Sequence, residues 1–199
     1  MKRDYMLWVL LTFIAYNAFL MVFSIHIGNI YAIKGQASFV IGALILFYLR
    51  KKLRLRIVAF SIMLTGFALH VSHVLGGLYK NSSLFPPWDF WTHTVFFVGA
   101  TVYFFQLREH RLNDKKVFCF KNMFALFTLF LVVSGIGVLI ELGEYSGYVL
   151  LEDGGDQIFG GGDYEGIIVT SDVISEIEFH GGGWFDAMSD LVYNSVAIL

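Results

Sequence analysis

Six blocks of mainly apolar residues follow one another along this chain, each near the length of a membrane-crossing helix, which needs ~20 such residues (roughly 17–25). The first runs from Tyr5 to Ile27, and the second, Ile33 to Leu49, is short and contains Gln36 and Ser38. The third, Ile57 to Leu78, carries two histidines in its second half, and the fourth, Phe90 to Leu107, follows the breaker Pro86-Pro87. The fifth, Val117 to Leu142, is the longest and, like the fourth, holds five Phe, and the last is Trp184 to Leu199. At 1.5 Å per residue the last covers ~24 Å, short of a hydrocarbon core of ~30 Å, so it implies local thinning of the bilayer or a clipped terminus. The first block is too long for the apolar region of a signal peptide and has no small-residue cleavage pattern after it, so it is expected to stay in the mature protein. The expected architecture is all-α: a single polytopic membrane helix bundle over residues 1–199 with about six transmembrane helices.

Charge fixes the expected orientation. Lys2 and Arg3 precede the first block, Arg50, Lys51, Lys52, Arg54 and Arg56 follow the second, and Arg108, Arg111, Lys115 and Lys116 follow the fourth. The alternate loops hold only Lys34, then Lys80, then no Lys or Arg from Leu150 to Phe185. Basic residues collect on the cytoplasmic side of membrane proteins, which puts both the N-terminus and the C-terminus in the cytoplasm of a multi-pass plasma-membrane protein. The one long extracytoplasmic loop, 151–183, is Gly-rich and acidic, with nine glycines and eight carboxylates. Its segments Ile167–Thr170 and Val173–Phe179 read as short strand or interfacial-helix pieces.

Composition narrows the class. Hydrophobic residues make up 57% and charged residues 15% of the chain, against roughly 45–50% and about 25% in soluble domains. One cysteine excludes a disulfide scaffold, and a formal net charge of −2 argues against nucleic acid as a partner. That cysteine, Cys119, reads as a buried structural thiol near the inner end of the fifth block.

The polar residues inside the blocks then stand out, because a charged group at membrane depth costs about 2.5–3.5 kcal/mol on insertion scales. His70 and His73 lie in the outer half of the third block, and Asp89 and His93 open the fourth. Glu141 and Glu144 close the fifth, while Asp186 and Asp190 open the sixth. Each pair is three or four residues apart and so shares one helix face. Facing pairs inside a bundle are a common way to build a metal site. Asp89 and Asp186 also suit N-caps, and a lone histidine is more often a hydrogen-bonded core residue. The glutamates are expected at a helix C-terminus, where the macrodipole disfavours anions, so a cation or a proton is expected to hold them. A proton relay would string acids through the full depth, and the inner half has none. His26 is a ninth candidate, and Asn194, one turn beyond Asp190, is placed to orient a ligand.

Three of these motifs, Asp89-Phe-Trp-Thr-His93, Glu141-Leu-Gly-Glu144 and Asp186-Ala-Met-Ser-Asp190-Leu-Val-Tyr-Asn194, resemble those of the VanZ-like and YjdF-type integral membrane proteins over Pro87 to Leu199. Phe90 stands where many VanZ-like chains carry Lys, and Glu144 where Gln is frequent. The resemblance implies a role at the cell envelope and little defined chemistry.

Two functions follow. One is a metal-dependent hydrolase or transferase acting on a lipid-linked or envelope substrate, with His70, His73, Asp89, His93, Glu141, Glu144, Asp186 and Asp190 as ligands to a divalent ion. Mixed imidazole and carboxylate donors suit Zn, Mn or Fe, and Glu144 or Asp190 would be left as general base. The other is a non-catalytic scaffold or accessory subunit in the lipid bilayer, whose polar cluster fixes helix packing and whose acidic loop docks a partner protein.

Overall fold

A computed structural model of the chain describes residues 4–28, 30–75, 88–109, 112, 119–151 and 182–198. These form six α-helices: α1 Tyr5–His26, α2 Ile30–Leu49, α3 Ile57–Val71, α4 Trp88–Arg108, α5 Phe120–Leu151 and α6 Gly182–Val196, with a 3-10 turn, Ser72–Leu75, after α3. No strand occurs among the described residues. The long acidic loop, with the segments at 167–170 and 173–179, lies outside them. Three stretches are long and apolar enough to cross a membrane: Tyr5–His26, Ala32–Leu49 and Phe120–Leu142. Their outward faces are studded with exposed Leu, Ile, Val and Phe, the surface expected where lipid rather than water is the solvent.

The helix ends follow from local chemistry. Asp4 caps α1, its carboxylate accepting from Leu7 N at 3.3 Å, and Gly28 ends it with φ 76°. Beyond α2 the chain coils on through a Schellman turn, with Leu55 N donating to Arg50 O at 2.8 Å and Arg54 N to Lys51 O at 3.2 Å. The left-handed residue of that turn, usually glycine, is Arg54 (φ 53°).

α3 and α4 make the most extensive contact in the molecule. They run antiparallel: Gly66 lies against Phe96, and Gly99 against Met63. A β-carbon on Gly66 would come within 2.7 Å of Phe96 Cα, and one on Gly99 within 2.8 Å of Met63 N, so the two backbones touch where side chains are missing. Small residues serve this purpose between membrane helices. Phe67 and Phe96 stack across the same seam at 5.1 Å. At one end of the bundle Tyr103 donates to Leu53 O at 2.9 Å, and Arg56 pairs with Glu109.

Two groups of three helices result. α1, α2 and α3 enclose Leu10, Phe13, Ala43, Ala59, Phe60 and Leu64. α4, α5 and α6 close with one face of α3 around Met63, Phe97, Ala100, Leu129 and Val133.

Two expected boundaries move. α3 is regular only to Val71, so His73 falls in the 3-10 turn and not within the helix. α5 continues to Leu151, since nothing in Gly143–Leu151 breaks it: its two separated glycines, Gly143 and Gly147, each weaken the helix by about 1 kcal/mol without ending it. Glu141 is therefore an interior residue of a 32-residue helix, away from the C-terminal turn where the macrodipole would demand a cation. Cys119, expected buried, is half-buried just before α5 begins.

Candidate metal centre

The inward faces of α4, α5 and α6 change from apolar to polar along their length. On α5 the buried positions recur every four residues as Leu129, Val133, Gly137 and Glu141. On α4 His93 lies one turn before the buried Phe97, and on α6 Asp190 lies one turn before the buried Asn194. Four-residue spacing keeps each series on one helix face, so a polar level forms directly beyond the apolar core of this half.

At that level His93, Glu141 and Asp190 meet, each from a different helix, with one ligand atom of each within 4.8 Å of the others. His93 Nδ1 stands 3.7 Å from Glu141 Oε1, and His93 Nε2 stands 3.4 Å from Asp190 Oδ2. The imidazole is thus flanked by a carboxylate at each ring nitrogen. Glu141 is 2% and Asp190 3% exposed. That burial distinguishes them from surface acids, because an ionised carboxylate is not left in such a place without a partner.

Asn194 Nδ2 donates to Glu141 Oε1 at 3.3 Å, giving Asn194 the orienting contact its position in the sequence suggests. Gly137 makes room for it: a β-carbon there would lie 3.2 Å from Asn194 Nδ2 and 3.4 Å from Phe97 Cζ. Sequence reasoning missed Gly137, although its place one turn before Glu141 on the same face was a usable signal. Phe90 on α4 packs edge-on against Tyr193 on α6, centroids 5.3 Å apart, and ties together two of the three helices that carry the site.

Of the eight expected ligands, the structure brings three together. They are the deeper members of three of the four pairs: α4 and α6 begin at the end of the bundle where α5 finishes, which sets His93, Asp190 and Glu141 inside Asp89, Asp186 and Glu144. The side chains of Asp89, Glu144, Asp186 and His73 lie outside what the structure describes. His70 stands apart from these three among the described residues. It does not belong to the group within 4.8 Å, and its ring packs on Phe39 of α2 with centroids 4.7 Å apart. Nor does His26, which is exposed in the last turn of α1.

The first three helices hold a different polar set, neutral throughout. Gln36 Nε2 donates to Ser24 Oγ at 2.9 Å, Asn17 Nδ2 to Phe13 O at 3.1 Å, and Tyr16 and Ser72 share a bond of 2.5 Å. Gln36, Ser24 and Asn17 are almost wholly buried. Such bonds hold helices together at about 0.6–2 kcal/mol each and offer no ionisable ligand.

Comparison with known proteins leaves the chain on its own chemistry: no family model matches it, no curated protein does, and no solved structure does.

Proposed function

We propose that this chain is a six-span protein of the plasma membrane, with both termini in the cytoplasm, that binds a divalent metal ion, Zn, Mn or Fe, near its extracytoplasmic face at a centre formed by His93, Glu141 and Asp190, with His93 and Asp190 as direct ligands and Glu141 orienting the imidazole. The reaction proposed is metal-dependent hydrolysis or group transfer on a lipid-linked or envelope substrate. The single observation behind this reading is the meeting of one imidazole and two buried carboxylates from α4, α5 and α6. Two carboxylates with a neutral imidazole carry two negative charges, which one divalent cation balances, and the donor set suits those three metals.

The residues divide the work. A divalent ion would be held by His93 Nε2 and Asp190, since the other ring nitrogen faces Glu141. Glu141 takes Nδ1, in the relay by which a carboxylate orients a metal-binding histidine, and Asn194 holds Glu141. When bound, the ion supplies Lewis acidity, polarising a carbonyl or phosphoryl oxygen and lowering the pKa of a water. Asp190 is then committed to binding, which leaves Glu144, three residues beyond Glu141, as the general base of the proposal. A place among the VanZ-like and YjdF-type membrane proteins belongs to the same proposal. Its support is that residues from all three shared motifs, His93, Glu141, Asp190 and Asn194, lie at one site.

A second reading, a scaffold without chemistry, has one observation in its favour. A protonated His93 between Glu141 and Asp190 would by itself join three helices. Elemental analysis of the purified protein separates the two. The metal reading expects about one divalent ion per chain, lost in Asp190→Asn with the fold intact. A metal-free wild-type protein whose Asp190→Asn variant unfolds would establish the scaffold instead.

A further inference from the structure

The turn joining α2 to α3 concentrates positive charge: Arg50, Lys51, Lys52, Arg54 and Arg56. Two of these are occupied. Arg50 reaches Asp4 at 3.0 Å, donates to Phe47 O at 2.8 Å and lies 3.6 Å over the Phe47 ring, while Arg56 pairs with Glu109. Lys51, Lys52 and Arg54 are exposed, and no ion pair links them to any other described residue. The turn that carries them is fixed from below. Leu55 is buried, and Tyr103 holds the Leu53 carbonyl.

Arg54 is the residue that the turn does not explain. Its φ of 53° belongs to the left-handed position of a Schellman turn, where a β-carbon is disfavoured and glycine is usual; α1 uses Gly28 at its own end. The hydrogen bonds of the turn are made by backbone, so the guanidinium adds nothing to them. Beside these cations the helices expose apolar side chains: Tyr48 and Ile45 on α2, Ile57 and Val58 on α3. Fixed cations bordering an apolar flank match the build of a phospholipid, charged at one end and acyl along the rest.

We propose that Lys51, Lys52 and Arg54 form a seat for the phosphate of an anionic phospholipid headgroup, with its acyl chains lying along the exposed flank of α2 and α3. The inference rests on the membrane part of the reading above and not on the metal site. Juxtamembrane cations attract anionic lipid by an amount equivalent to about fivefold in binding for each residue, so three of them give a preference that single variants reduce measurably.

The full-length protein, stripped of lipid in detergent, is offered an equimolar mixture of phosphatidylglycerol and phosphatidylcholine, and the retained lipid is measured by native mass spectrometry. Wild type is expected to retain phosphatidylglycerol preferentially. Arg54→Gly is expected to lose about fivefold of that preference while its lipid-free thermal midpoint stays level or rises by about 2–4 °C, because glycine relieves the turn. Lys51→Gln with Lys52→Gln should lose more of the preference. Retention by Arg54→Gly equal to wild type overturns the proposal. So does a rise in thermal midpoint on adding millimolar inorganic phosphate equal to the rise on adding phosphatidylglycerol, which would mark a phosphate site without lipid. A chain that stays in solution without detergent would defeat the membrane reading itself, a different failure from a detergent-requiring chain that shows no lipid preference.

Discussion

At Gly137 one absent carbon atom sets the geometry of the site. A β-carbon there would lie 3.2 Å from Asn194 Nδ2 and 3.4 and 3.5 Å from the Phe97 ring, both on side chains that are almost wholly buried and have nowhere to retreat. Gly137→Ala is expected to push the Asn194 amide away from Glu141, at a cost of about 1–3 kcal/mol for overpacking. If the metal reading holds, affinity falls with it by about 10–100-fold, the usual effect of disturbing a residue that orients a ligand. Two residues earlier, Gly135 meets nothing within 4 Å, so Gly135→Ala should be neutral or stabilising by up to about 1 kcal/mol from helix propensity alone. Thermal unfolding and metal titration of the two alanine variants side by side check both statements. Equal behaviour of the pair would mean that Gly137 has no special place beside Asn194.

Among the elements, α3 and α4 depend on each other most. Gly66 and Gly99 each lie against the opposing backbone, which cannot swing aside as a side-chain tip can. Gly66→Ala and Gly99→Ala are each expected to destabilise the bundle by about 1–3 kcal/mol. The double variant should cost clearly less than the sum, because one separation of the helices relieves both clashes and neighbouring sites are not additive. Additive losses in a thermal-unfolding cycle would show that the helices do not part as a unit. This contact also marks the limit of what the sequence discloses. Apolar blocks located all six helices, because a run of Leu, Phe and Val about 20 residues long announces itself. Little in the blocks said which helix would meet which, since in α1 to α5 the apolar residues circle the helix and give no single inward face. The polar residues carried that information. His93, Glu141 and Asp190 were legible as inward-facing because each is costly anywhere else at that depth, and their spacing gave the face. The same logic grouped His70 with them, but its ring packs on Phe39, and spacing alone does not separate a histidine set against an aromatic ring from one set beside carboxylates. The apolar stretch of α5 ends at Leu142 as its hydropathy implies, but hydropathy does not mark where the helix stops, and it runs on to Leu151.

For the whole molecule, the division into two groups of three helices gives metal removal a location. The polar set of α1 and α2, with Ser72 beside it, is neutral, and its bonds among Ser24, Gln36, Tyr16 and Ser72 involve no ligand of the centre. Glu141 and Asp190 belong to α5 and α6, and His93 to α4. An ion bound only by the folded centre stabilises it by about 2.7 kcal/mol at one hundred times its dissociation constant. That free energy is linked to openings that separate α4, α5 and α6, and not to fraying of α1 from α2. If the metal reading holds, chelation should therefore speed amide hydrogen exchange on the inward faces of α4, α5 and α6 by up to about 100-fold where opening breaks the centre. Exchange in α1 and α2 should change little, except through openings global enough to unfold both halves. Restoring Zn or Mn should restore protection, and Glu141→Gln should exchange at the chelated rate with or without metal. Exchange that accelerates equally in all six helices would place the ion's influence on global unfolding alone. Exchange indifferent to chelator in every helix would return the three residues to the scaffold reading, in which a proton on His93 does the joining and no ion is needed.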